Sequence, residues 1–192
     1  MTARFEGDTL RLASGGRGPR GRFARLASAS DGIGGGRGRG RHRGSGEGFH
    51  FVYRELRGDG EIRARVLAEA NAGDVEAGRA IRRDLTAGAP TMFIGNEPGR
   101  APEMRRGFRG GRHVANTGGD GERRGAPYWV RLVRQGGTVT AYRSADGKQW
   151  TETGSETVDL AETAYVGLAA APIADKPGGS IAFDNITVIA AR

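Results

Sequence analysis

Residues Tyr128–Trp150, YWVRLVRQGGTVTAYRSADGKQW, decide the fold. Two β-rich runs, Tyr128–Arg134 and Thr138–Arg143, flank Gln135-Gly136-Gly137. Paired glycines adopt the positive φ that a tight hairpin turn requires, so the two runs are expected to pair. Ser144-Ala145-Asp146-Gly147 places Asp-Gly where a second reversal belongs. The stretch therefore reads as three short strands in a meander. Side chains alternate between the faces of a strand. Val130, Leu132, Val139 and Ala141 make the core face, which leaves Trp129, Arg131, Thr140 and Tyr142 together on the other. An aromatic ring beside a guanidinium suits a sugar- or protein-binding sheet, with a flat apolar surface for stacking and donors for hydroxyl or carboxylate groups. If a loop covered this face instead, Trp129 would be a core residue.

The same alternation extends upstream. Phe49–Leu56 carries apolar groups on both faces, as a central strand does. Arg57-Gly58-Asp59-Gly60 is read as a turn. In Glu61–Ala70, Ile62, Ala64 and Val66 alternate with Glu61, Arg63 and Arg65, the pattern of a half-buried strand. If this strand joins the hairpin's sheet, Arg63, Arg65 and Arg131 form one basic face, to which Arg79 or Arg82 is expected to add. Glu61 and Glu69 are too few to neutralise it, so the expectation is polyanion binding that weakens steeply with salt. Val75–Leu85 fits either an amphipathic helix or a strand, and Gly78 with the surrounding β pattern favours the strand. Further strands are read at Thr9–Ser14, Arg22–Ser28, Thr91–Asn96, Met104–Phe108, Thr157–Leu160, Tyr165–Ala170 and Ser180–Ala190. About a dozen short strands without a convincing helix point to an all-β sandwich or jelly roll.

The chain has 192 residues, expected to form a single β-sandwich domain over 1–192, with a Gly/Arg-rich loop at 31–48 and a second Gly-rich loop at 110–127. Asp31–Gly48 has only Ile33 to bury and is similar to the Arg-Gly tracts that contact RNA. It is short and lacks interleaved aromatics, so it reads as a mobile surface loop and not as a nucleic-acid arm. The net charge is +8, and Lys148 and Lys176 are the only lysines. A GC-rich coding bias explains this; so does an anionic partner, whether acidic polysaccharide, nucleic acid or membrane surface. There is no Cys, which excludes disulfides and thiolate metal sites. No apolar run approaches the ~20 residues needed to span a bilayer, and the opening MTARFEGDTL lacks the apolar segment of a signal peptide.

Catalytic signals are missing. Retaining glycosidases place two carboxyl groups ~5–5.5 Å apart, and a strand with alternating acids would achieve this. Glu152, Glu156 and Asp159 do not alternate on a clear strand. His42, His50 and His113 have no metal-site spacing, and Gly44-Ser45-Gly46 is not a nucleophile elbow. No enzyme is expected and no catalytic residue is assigned. Asp146, Asp184 and Asn185 offer oxygen ligands for Ca²⁺, a cation that needs six to eight of them.

Five pieces taken in order carry a family resemblance: FHFVYRELRGDGEIRARV, EAGRAIRRDLTAG, PYWVRLVRQGGTVTAYRSADGKQW, YVGLAAAP and FDNITV. From about Phe49 to Val188 the chain resembles the concanavalin A-like, laminin-G-like jelly rolls of bacterial extracellular proteins, and it is similar to the yeast enolase-regulating protein family. The resemblance implies two facing antiparallel sheets, an accessory module of secreted proteins, an extracellular or periplasmic location and, in many members, Ca²⁺ at the sandwich rim. It implies no single activity. The chain departs from the pattern at Arg79, where the family has an apolar residue, and at Arg83, where an acidic one is common. Two functions are therefore expected: a non-catalytic module for an acidic glycan, or a structural subunit that docks on a partner protein through its arginines and loops.

Overall fold

The computed structural model describes residues 2–13, 26–28, 50–67, 75–86, 89–96, 102–109, 112–116, 126–172 and 179–191. These form fourteen strands: β1 (Thr2–Glu6), β2 (Thr9–Ala13), β3 (Leu26–Ser28), β4 (His50–Arg57), β5 (Gly60–Leu67), β6 (Val75–Arg82), β7 (Thr91–Asn96), β8 (Glu103–Arg109), β9 (Arg112–Asn116), β10 (Tyr128–Gln135), β11 (Thr138–Ser144), β12 (Thr151–Thr157), β13 (Thr163–Pro172) and β14 (Ser180–Ala190). There is no helix among the described residues. The expected all-β class and the two antiparallel sheets are what the structure shows.

Each sheet has seven strands. The first runs β1-β2-β14-β5-β10-β11-β12 and the second β3-β4-β13-β6-β7-β8-β9. The paired glycines form the expected hairpin turn, with only Gly136 of the two at a positive φ. Gly136 takes φ 59°, and β10 and β11 pair from Gln135↔Thr138 to Trp129↔Ser144. On the other side of β10, β5 lies antiparallel with Leu132 opposite Ile62. The alternating apolar residues of both sheets meet in one interior. Leu10, Leu12, Ile62, Val66, Val130, Leu132, Val139 and Phe183 come from the first sheet, and Val52, Leu56, Ile81, Met92, Ile94, Met104, Val166 and Leu168 from the second. Each fully buried aliphatic or Phe side chain contributes about 1.5–3 kcal/mol, so this interior dominates the folding energy.

Three expectations change. β1 was not anticipated, because TARFE offers little to bury beyond Ala3 and Phe5. The strand expected at Thr157–Leu160 lies earlier, at Thr151–Thr157; TETGSET has no apolar residue, and it forms an edge strand along β11 that needs none. The Gly-rich loop expected over 110–127 contains β9, whose His113 sits opposite Phe108. The loop expected at 31–48, with its mobile part, lies outside the described residues.

Candidate functional site

The outer face of the first sheet brings together the six residues expected to bind ligand. In β5, Glu61, Arg63 and Arg65 point away from Ile62, Ala64 and Val66, which are buried. Arg131 stands opposite Arg63 on one side and Tyr142 on the other, while Trp129 stands opposite Arg65. Thr140 lies opposite Val133 in the next strand, and its hydroxyl is 3.0 Å from Ser155 Oγ. The expectation that β5 and β10 share a sheet therefore holds, and Trp129, Arg131, Thr140, Tyr142, Arg63 and Arg65 lie on one surface. All six are partly exposed.

The electrostatics differ from the expected bare basic face. Arg131 donates from Nε to Glu61 Oε2 at 2.8 Å and also binds this carboxylate through Nη2. Arg65 donates from Nε to Asp184 Oδ1 at 2.8 Å and binds Oδ2 through Nη2. Glu61 and Asp184 thus neutralise two of the three arginines. Asp184, read from the sequence only as a calcium ligand, was not seen as the partner of Arg65 because it lies 119 residues away along the chain. Its register partner is Arg65, and a bulge follows between Asp184 and Thr187, with Asn185 at φ 49°. Asparagine tolerates this left-handed conformation better than most residues, so Asn185 serves the bulge that fixes the end of the pair.

The aromatics hold these guanidinium groups. Arg131 Cζ lies 5.4 Å from the centre of the Tyr142 ring and 5.8 Å from that of Trp150. Arg65 Cζ lies 5.9 Å from the Trp129 ring. Such contacts contribute about 0.5–1 kcal/mol when exposed and more when water is excluded. Trp150 was not selected from the sequence, although it closes the quoted stretch. The turn before it swings it over Arg131, which alternation within a strand cannot reveal. That turn also covers part of Trp129: Gly147 has φ 73°, and a Cβ there would sit 2.7 Å from Trp129 Cε2. The expectation of a loop over Trp129 is thus met on one side of the ring.

The proposed calcium ligands have other duties. Asp146 Oδ1 accepts from Ser144 Oγ at 2.9 Å and from the amides of Lys148 and Gln149 at 2.8 and 2.9 Å. The Gln149 and Lys148 amides, with Ser144, hold its carboxyl down at about 2. Asp184 gives both oxygens to Arg65, and that hydrogen bonding keeps its carboxyl below the ordinary carboxylate range. No group of three or more His, Cys, Asp or Glu converges as a metal site among the described residues. A carboxylate whose folded value is lowered adds stability above its unfolded value of ~3.9, and the gain is lost as pH falls through the folded value. Asp184→Asn is therefore expected to lower stability at neutral pH and to make it fall less steeply on acidification. Chemical denaturation at stepped pH measures both.

Arg79 and Arg82 do not add to this surface, contrary to expectation. Both lie on β6, in the middle of the other sheet. Arg79 follows the parity of Ala77 and Ile81 into the interior and is 0% exposed. Arg82 is on the second sheet's outer face, where its Nη2 donates to Thr86 O at 2.9 Å. That second face carries Phe51 stacked on Tyr53 at 5.3 Å and Tyr165 edge-on to Tyr53 at 5.3 Å. Phe51, Tyr53 and Phe93 are buried and only Tyr165 of these four is partly exposed, whereas Trp129, Tyr142 and Trp150 all keep exposed surface. The first sheet therefore presents the accessible aromatic face.

No family model matches the chain, and no curated protein matches it. Solved structures do. A functionally unknown protein from Saccharomyces cerevisiae has TM-score 0.61 at 16% identity, over 99% of this chain and 92% of that one. The GH43 BlXynB protein from Bacillus licheniformis has TM-score 0.53 at 15% identity, over 75% of this chain and 37% of that one. The exoplasmic/lumenal domain of VIP36, in a Ca²⁺/Man3GlcNAc-bound form, has TM-score 0.50 at 15% identity, over 75% of each chain. At these identities the likeness shows the fold alone: a β-sandwich.

Proposed function

We propose that this protein is a non-catalytic glycan-binding module whose site is the outer face of the first sheet. The observation that carries the reading is Arg131, held by Glu61 and flanked by Tyr142 and Trp150. Its position is fixed before any ligand arrives, so little ordering entropy is lost on binding. Partly exposed rings beside fixed donors offer a sugar both of its usual contacts: an apolar ring surface and charge-assisted hydrogen bonds to hydroxyls. Glu61 and Asp184 are committed to arginines, which leaves Glu152, opposite Tyr142, as a lone carboxylate and argues against a general acid and nucleophile pair here. The fold is also similar to that of the VIP36 exoplasmic/lumenal domain, whose structure holds Man3GlcNAc.

Trp150→Ala is expected to weaken oligosaccharide binding at least about tenfold while leaving the fold intact, since the ring is on the surface. A glycan array followed by calorimetric titration of the hits measures it. Hits unaffected by Trp150→Ala would remove the site. An array with no hits would remove the function and leave the docking subunit.

A further inference from the structure

We infer that Arg63 reads a single carboxylate on the bound sugar, so that the ligand is a uronic-acid glycan recognised through one charge. This rests on the glycan reading above and names the ligand class. Arg63 lies between Arg131 on β10 and Thr187 on β14. Its two arginine neighbours on this face are each engaged by a carboxylate, Arg131 by Glu61 and Arg65 by Asp184. No acidic group among the described residues pairs with Arg63, so of the three arginines on this face it alone carries an uncompensated charge; the exposed Glu152 of this face lies two strands beyond Arg131, opposite Tyr142. A partly exposed guanidinium in that position presents its planar fork to solvent, and a carboxylate matches that fork with two parallel hydrogen bonds. A sugar lying against Tyr142 and Trp150 reaches Arg63 across Arg131, its cross-strand neighbour, at the ~5 Å spacing of adjacent strands.

This one uncompensated charge also sets the salt response. A face of three bare arginines would bind a polyanion and lose it steeply in salt. One reading charge gives a shallow dependence, with the neighbouring ion pairs adding little beyond about 8 Å at physiological ionic strength.

The test is calorimetric titration of an oligogalacturonate and its fully methyl-esterified form, at low and high salt, with the wild type, Arg63→Met and Arg63→Gln. The esters remove the charge and keep the ring. The wild type is expected to prefer the acid roughly tenfold, as one charge-assisted contact allows. Both variants should bind acid and ester alike, with the preference for the acid lost. A preference for the acid that survives in both variants overturns the role of Arg63. Equal wild-type affinity for acid and ester overturns the uronic-acid inference and leaves the glycan reading intact. Binding of neither form by the wild type overturns this inference; the array separately decides the glycan reading.

Discussion

Arg79→Met is expected to stabilise the protein by about 2–4 kcal/mol, which for a chain of this size corresponds to a melting temperature higher by roughly 5–15 °C. Arg79 is completely buried between the sheets, and among the described residues none of its guanidinium nitrogens has a hydrogen-bond partner. Its compensation comes from the Phe183 ring at 5.9 Å and the electrostatic attraction of Tyr128. A desolvated cation–π contact contributes about 2 kcal/mol, whereas desolvating an ion costs several kcal/mol even after relaxation. The cost therefore wins, and an apolar side chain of similar length removes it without opening a cavity. Burial pushes the guanidinium down to about 9, so it still carries charge at neutral pH. Between that value and its ordinary range the unfolded chain binds more protons than the folded one, so stability should rise with pH there. The rise should be missing in Arg79→Met. Calorimetric melting of both proteins from pH 7 to 10.5 measures both effects, and a methionine variant less stable than the wild type would refute the account of the core.

Glu76→Ala is expected to act in the opposite direction, costing about 3–5 kcal/mol. Arg105 is also buried, on the second sheet, but it is paired. Nη1 binds Glu76, and Nη2 donates to Glu103 Oε2 at 2.9 Å. Removing Glu76 leaves the buried Arg105 charge only half compensated. Urea denaturation should show a lower midpoint with an unchanged slope, because the same surface is exposed on unfolding. A change under about 1 kcal/mol would mean that the cluster is solvated and not structural. Two buried arginines in one sheet thus respond oppositely, because one has carboxylate partners and the other has none.

Much of the fold was legible because the signals are local. Alternation in Glu61–Leu67 and Tyr128–Arg134, the glycine pair at 136–137 and Asp146-Gly147 each specify geometry within a few residues. The shared face of Arg63, Arg65, Trp129, Arg131, Thr140 and Tyr142 followed from that alternation once β5 and β10 proved to be neighbours. The partition of strands between sheets was not legible, because β14 inserts between β2 and β5 and β13 between β4 and β6. For the same reason Asp184 could not be seen to neutralise Arg65. Arg79 was legible in part. Its spacing from Ala77 and Ile81 puts it inward, and the resemblance has an apolar residue there, but charge was given more weight than parity. Trp150 was missed because a turn, not a strand, positions it.

The central claim is that the outer face of the first sheet binds glycan, and mapping the bound surface tests it most directly. Amide chemical shifts of the isotopically labelled protein would be followed while an array-selected oligosaccharide is titrated in. The account predicts that perturbations concentrate at Glu61–Arg65, Trp129–Arg131, Thr140–Tyr142 and Trp150. Perturbations centred instead on Phe51, Tyr53, Phe93 and Tyr165 would contradict it and place the site on the opposite sheet.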